Sequence, residues 1–379
     1  MSGPASSLEQ YRPALRPQVL ISDGLLVGAG TVHLIKNTDS GQSFKVGVKE
    51  HFLISRMDGS HSLEEIGTEY ARQYGRRLAD TNWQQLLRML GTRGLLTDAP
   101  AAAPDPASDP DHPVPGQAPE PGRRLLRGTL PLVADADATT ARLHRAVGFL
   151  LSPWWMVPLL AVVAAMETVA ALHTGELALA ARETFGNPVL LTATAALLWL
   201  STALHELAHG VVAQHYGGRV AEIGLRWRLP AVIMYCTVDN YLYLRTRWHR
   251  IATALAGAVM NLLFLLPFFA LWLLAPLDDA THSALGALLF LGSVQAFAML
   301  IPVPPLDGYK IVSQLLGTTE LATSSRTYLR LLIRRDPAAA GYPRRARIAY
   351  PAYVLGYLLV LGALVAAAVS LTHFLLTAP

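Results

Sequence analysis

The chain has 379 residues, enough for two or three domains; 52% are hydrophobic, only 15% are charged, and the formal net charge is +4. That balance excludes a wholly water-exposed, highly charged protein and implies a large bilayer-embedded share, while the small basic surplus does not point to nucleic acid. The single cysteine, Cys236, excludes an intrachain disulfide framework and a cysteine-ligated zinc site, and reads as a small buried hydrophobe. The opening residues Met1-Ser-Gly-Pro-Ala-Ser-Ser contain no apolar run. No cleavable signal peptide is expected there, and the N-terminal part is expected to stay in the cytoplasm.

Residues 11–98 read as a small mixed domain. Val19–Ile21 and Thr31–Ile35 are short β-like runs, and Asn37-Thr-Asp-Ser-Gly41 is a turn signal. Helical patterns follow at Val48–Met57, from Ser62, and at Trp83–Leu90. Ser62-Leu-Glu-Glu65 is a capping box, with Leu63, Ile66 and Tyr70 inward at helical spacing. Gly94-Leu95-Leu96 reads as the start of a wing, and His33, His51 and His61 read as scattered surface residues. Met57-Asp58-Gly59, Ser62-Leu63-Glu64-Glu65-Ile66, Tyr74-Gly75 and Gly94-Leu95-Leu96 resemble the peptide-chaperone family typified by PqqD-like recognition domains. That resemblance implies a winged-helix-like fold that holds the leader of a ribosomally made precursor peptide as an added strand. A DNA-binding winged helix, or a domain without a ligand, is the bland alternative; Trp83, Gln84, Gln85 and Arg88 form no dense basic cluster, which argues against DNA.

Residues 99–122 are rich in Pro, Ala and Asp and read as a disordered linker. Residues 123–148 read as a juxtamembrane segment, amphipathic from Ala138, with Arg142, His144 and Arg145 on its polar side. Residues 149–376 then form a membrane domain, with apolar stretches of spanning length at 149–172, 188–213, 250–275, 283–303 and 351–376. Basic residues gather before the first stretch (Arg142, Arg145), between the second and third (Arg219 to Arg250) and between the fourth and fifth (Arg326 to Arg347). Five spans place all three groups on the cytoplasmic side and the C-terminus outside. Trp154, Trp155, Trp248 and Tyr350 read as interfacial anchors, and Glu167 as an interface residue.

The second stretch carries Leu204-His205-Glu206-Leu207-Ala208-His209, an H-E-x-x-H motif near its cytoplasmic end. On a helix, residues four apart share a face, so His205 and His209 offer two nitrogen ligands to a Zn²⁺ ion, and Glu206 is placed to take a proton from water. His215 falls off that face and reads as a solvated end residue. Tyr216-Gly217-Gly218 stops the helix, and Glu222–Leu229 alternates as a strand before Pro230, with a second strand at Val232–Tyr235. This hairpin either binds extended substrate by strand addition or merely shields the site. The fourth stretch runs into Ile301-Pro302-Val303-Pro304-Pro305-Leu306-Asp307-Gly308-Tyr309, whose prolines break the helix. Asp307 is the only acid there and supplies the third ligand that two histidines need. Lys310 beside it reads as a snorkelling lysine or a group that orients a carbonyl.

These two motifs resemble the site-2 protease family of intramembrane zinc metallopeptidases. The resemblance covers residues 150–376 and extends to the peptide zinc metalloprotease branch through Asp239, Arg247-Trp248-His249-Arg250 and Leu306–Tyr309. It implies zinc on His205, His209 and Asp307, with Glu206 as general base. Ala256-Gly257-Ala258-Val259-Met260-Asn261 stands where the family has A-G-P-x-x-N, which makes Asn261 an oxyanion-stabilising candidate or an interhelical hydrogen-bonding residue. Ala258 replaces the family proline, and Met299 replaces an asparagine before the acid. The fold expected is therefore multi-domain: a small α+β winged-helix-like N-terminal domain, then a polytopic helical membrane domain of about five spans with a short β-hairpin insertion. The function expected is zinc-dependent endopeptidase action on a ribosomally made, modified precursor peptide bound by residues 11–98. Cleavage of a membrane-anchored regulator, or a non-catalytic scaffold or export role, are the alternatives. The partners expected are a peptide or membrane-protein substrate and the lipid bilayer, with no nucleic acid.

Overall fold

The computed structural model describes residues 10–97, 127–228 and 231–377; the expected linker at 99–122 and the pair Arg123-Arg124 lie outside them. The chain divides into two compact units. One comprises Met1–Ala118 with Gly317–Thr319 and Leu331–Ala346, and the other comprises Pro119–Leu316, Glu320–Arg330 and Arg347–Pro379.

In the first unit, β1 (Val19–Ile21) and β2 (Leu25–Val27) pair antiparallel with successive parts of β3 (Gly30–Asn37), and β4 (Ser43–Gly47) pairs with the other side of β3. Gly28, at φ 52°, closes the β2–β3 turn, a backbone conformation that strains residues with a Cβ. The backbone of Leu26 on the far side of β2 pairs with Gly317 and Thr319. Three helices follow: α1 (Val48–Ile54), α2 (Leu63–Tyr74) and α3 (Asp80–Thr92). The capping box forms as expected: the Glu65 N–H donates to Ser62 Oγ at 3.2 Å, and the Ser62 N–H donates to the Glu65 carboxylate at 2.7 Å. Ile35, Ile54, Ile66, Leu90 and Leu95 fill the core.

Two expectations bear on this unit. Gly94 takes a left-handed turn at φ 61°, and Leu95 and Leu96 fold into the core, where Leu96 bridges Leu15. Among the described residues of the first unit no strand pair follows α3, and residues 98–126, where a wing would continue, lie outside the described residues. His33 and His51 are not scattered: their rings stack 3.5 Å apart, with His33 buried.

The second unit contains β5 (Arg127–Pro131), α4 (Ala136–Val147), a 3₁₀ turn at Gly148–Leu151, α5 (Pro153–Leu172), α6 (Thr174–Gly186), α7 (Pro188–His215), β6 (Val220–Arg228), β7 (Ala231–Val238), α8 (Arg247–Leu274), α9 (Asp279–Ala298), α10 (Asp307–Leu316), α11 (Leu321–Ile333) and α12 (Arg344–Thr377); α11 and α12 each have a few residues in the first unit. By length and composition α5, α7, α8, α9 and α12 are able to cross a membrane. The sheet has the order β5-β6-β7, so the hairpin gains a third strand from the segment read as juxtamembrane. The turn at 229–230 lies outside the described residues. Helix α6 gives no spanning signal, since Glu176, Arg182 and Glu183 interrupt it; its Ala180 and Ala181 pack on Ala287 of α9. Tyr350 is no interfacial anchor: it is fully buried, with its ring 5.9 Å from that of Tyr328. Arg250 is no loop charge either. It is 3% exposed and donates to the carbonyls of Leu242 and Leu244, each at 3.1 Å, which pins the preceding loop to α8.

Candidate metal centre

Helices α7 and α8 run antiparallel in tight register. Ser201 meets Asn261, His205 meets Gly257 and His209 meets Thr253, one turn apart on both helices. The sequence permits this approach because α8 presents Gly257, Ala254 and Ala258, all buried. A Cβ on Gly257 would overlap the His205 ring. Ala258, where the family proline was expected, is buried on the same helix.

Asp307 arrives on a separate element. The loop after α9 turns on its own backbone, with Val303 N–H to Ile301 O at 2.8 Å and Leu306 N–H to Val303 O at 2.8 Å. Gly308 then packs backbone to backbone on this loop: its N–H donates to Met299 O at 2.9 Å, and a Cβ would overlap the carbonyls of Leu300 and Ile301. Position 299 thus acts through its carbonyl.

The result is a triangle of donor atoms. His205 Nε2 lies 3.0 Å from Asp307 Oδ2, His209 Nε2 lies 3.1 Å from the same oxygen, and the two nitrogens are 3.1 Å apart. All three residues are buried, and they form the one group of three or more metal-ligating side chains among the described residues. A tetrahedral zinc with bonds of 2.0–2.1 Å needs its ligand atoms about 3.3 Å apart, so the donor set and spacing fit that ion. Two further contacts set the protonation this fit requires. The His209 Nδ1–H donates to Thr253 O at 2.7 Å, which leaves Nε2 as the lone-pair nitrogen. The Lys310 ammonium donates to Asp307 Oδ1 at 2.9 Å, so Oδ2 alone faces the histidines.

Glu206 follows His205 on the helix, half-buried, and the backbone N–H of Cys236 on β7 donates to its carboxylate. Burial and the neighbouring Glu206 carboxylate push the Cys236 thiol up to about 12. Asn261 lies one turn from Gly257, with its Oδ1 accepting from Ser201 Oγ at 3.0 Å and its Nδ2 buried without a protein partner. His215 is the exposed last residue of α7, as its position in the sequence implies, and its Nδ1 lies 3.1 Å from His144 Nε2 on α4. Glu167 accepts from Ser293 Oγ at 2.8 Å on the wall of a 330 Å³ cavity.

Sequence reasoning brought His205, His209 and Asp307 together and placed Glu206 beside them. It missed Lys310 as a partner of Asp307, although the acid–base spacing of three residues on a helix was a readable signal. It also missed Thr253 and Ser201, which only the helix register reveals.

Residues 193–280 match the model of Peptidase family M50. No curated protein and no solved structure matches the chain. The matched segment holds α7 from Ala193, the hairpin and α8, with both histidines and Glu206; Asp307 lies beyond it and joins through the geometry above. The match indicates a metallopeptidase of the site-2 protease type, and with five apolar helices it indicates a multi-pass membrane protein.

Proposed function

We propose that the chain is a membrane-embedded zinc endopeptidase that processes a ribosomally made precursor peptide. The observation that carries the chemistry is the buried triangle of His205, His209 and Asp307 between apolar helices, with a carboxylate next to it. Zinc, when bound there, polarises a water molecule and the scissile carbonyl. Glu206 takes the proton of the attacking water and returns it to the departing amine. The Cys236 N–H orients that carboxylate. Asn261 Nδ2 is a buried donor with no protein partner, an arrangement that costs about 1–3 kcal/mol unless a substrate oxygen completes it. That donor supports the oxyanion role for Asn261.

Substrate lies extended along β7. This is the edge strand of its sheet, and its Cys236 already contacts Glu206. Strand addition there exposes a peptide bond to the base without first requiring a pocket for each side chain. The N-terminal unit supplies the selection. The far side of β2 is paired with Gly317 and Thr319, whereas β4 has no strand partner on its far side among the described residues, so the leader adds to β4. The distribution of basic residues along the sequence supports a cytoplasmic metal centre and N-terminus and an outside C-terminus.

The test is a strain carrying Glu206→Gln. Accumulation of an uncut precursor peptide that binds the full chain through its leader supports the reading. Accumulation of a membrane-anchored regulator with no peptide bound refutes the substrate assignment, and an unchanged phenotype refutes the peptidase.

A further inference from the structure

A second cavity, of about 490 Å³, opens on another face of α7 and α8 from the one that carries the histidines. Leu143 and Val147 of α4, Leu160 of α5, Leu207 and Val211 of α7 and Val259 of α8 line it, and Tyr216 at the end of α7 is its one wall residue with a polar tip. Its volume falls in the range of about 300–1,000 Å³ typical of ligand pockets. None of His205, Glu206, His209 or Asp307 lines it, so a substrate held there would not reach the metal centre.

The rim places the cavity at a fixed depth. Phe149, Trp154, Trp155 and Trp248 are exposed around the start of α5 and of α8, with Trp154 88% exposed. Exposed aromatic rings of this kind settle at the level of lipid headgroups. The Tyr216 ring stacks on His249 at 4.2 Å, and beside it His215 meets His144. Arg142 and Arg145, both exposed, flank the His144 turn of α4, and the Arg247 guanidinium lies 5.2 Å from the Trp248 ring. The acids of α4 sit at its opposite end and are engaged: Asp135 caps the helix through the Ala138 N–H, and Asp137 accepts from Gln214. An apolar slot thus opens beneath a rim whose charge is positive.

We propose that this cavity holds an acyl chain of a membrane phospholipid whose anionic headgroup is bound at the rim by Arg142, Arg145 and Arg247. The bilayer presents that chemistry at that depth, with chain below and phosphate above. The bound lipid fills space between α4, α5 and the helix pair that carries the zinc ligands, and so braces that pair from behind.

Full-length protein, stripped of lipid in detergent and returned to phosphatidylglycerol or phosphatidylcholine, tests this by native mass spectrometry. One phosphatidylglycerol per chain is expected to be retained in preference to phosphatidylcholine. Replacing Arg142, Arg145 and Arg247 with Gln should weaken retention about fivefold per arginine and remove the preference. Leu160→Trp should fill the slot and expel lipid while zinc content, read on the same sample, shows the fold intact. Equal retention of the two lipids by the wild type, no retained lipid, or undiminished retention by Leu160→Trp would overturn the proposal.

Discussion

Two histidine pairs share helix α7 or its end, and their nitrogens are equally far apart. His205 and His209 bring Nε2 atoms to 3.1 Å, and His144 and His215 bring Nε2 and Nδ1 to 3.1 Å. The ring centres differ: 4.7 Å in the first pair and 5.4 Å in the second. At equal nitrogen spacing, the shorter ring separation means that the lone pairs lean toward a common point, and the Asp307 oxygen completes the triangle around it. The longer separation means that the nitrogens point at each other, which is the geometry of one N–H···N hydrogen bond. Nitrogen distance alone therefore does not identify a metal site. Ring inclination, a third donor and burial do.

The largest expected effect comes from removing the base while keeping the triangle. Glu206→Gln should lower peptide cleavage on the order of 10²- to 10⁴-fold with zinc content unchanged; loss of zinc along with activity would mean that Glu206 shapes the site rather than moving protons. Next is Gly257→Ala. The added methyl overlaps the His205 ring and forces apart two helices with little room to yield, so thermal unfolding should show a loss of about 1–3 kcal/mol, accompanied by weaker zinc binding. Lys310→Met frees Asp307 Oδ1 and should weaken zinc about 10- to 100-fold in competition with a chelator, with Lys310→Arg recovering most of the loss. The smallest effect belongs to the other pair. His144→Ala with His215→Ala should cost about 1 kcal/mol, the worth of one hydrogen bond, and leave the zinc content alone.

The legible parts of the chain were those with local signals. H-E-x-x-H fixes two ligands on one helix face by spacing alone, and the capping box at Ser62 forms as its sequence demands. The spans were readable because hydropathy needs no partner. What escaped were features set by packing. Tyr350 and Arg250 carry interfacial or loop chemistry in sequence, yet burial and two backbone carbonyls decide their positions. β5 is too short and mixed to signal a strand without β6 beside it. Helix α6 buries Ala180 and Ala181, and no reading of the sequence singled that segment out. The contact of Lys310 with Asp307 turns on one side-chain direction. The nearby His215 shows the same dependence: its spacing excludes it from the ligand face, but only the fold supplies His144 as its partner.

Zinc content is the most direct measurement. Full-length protein, purified and assayed by atomic emission, should carry one zinc ion per chain; that ion should be lost from His205→Ala, His209→Ala and Asp307→Ala and retained in the His144→Ala, His215→Ala double variant. Zinc that survives replacement of Asp307, or that leaves with the His144–His215 pair, would contradict the assignment of the centre.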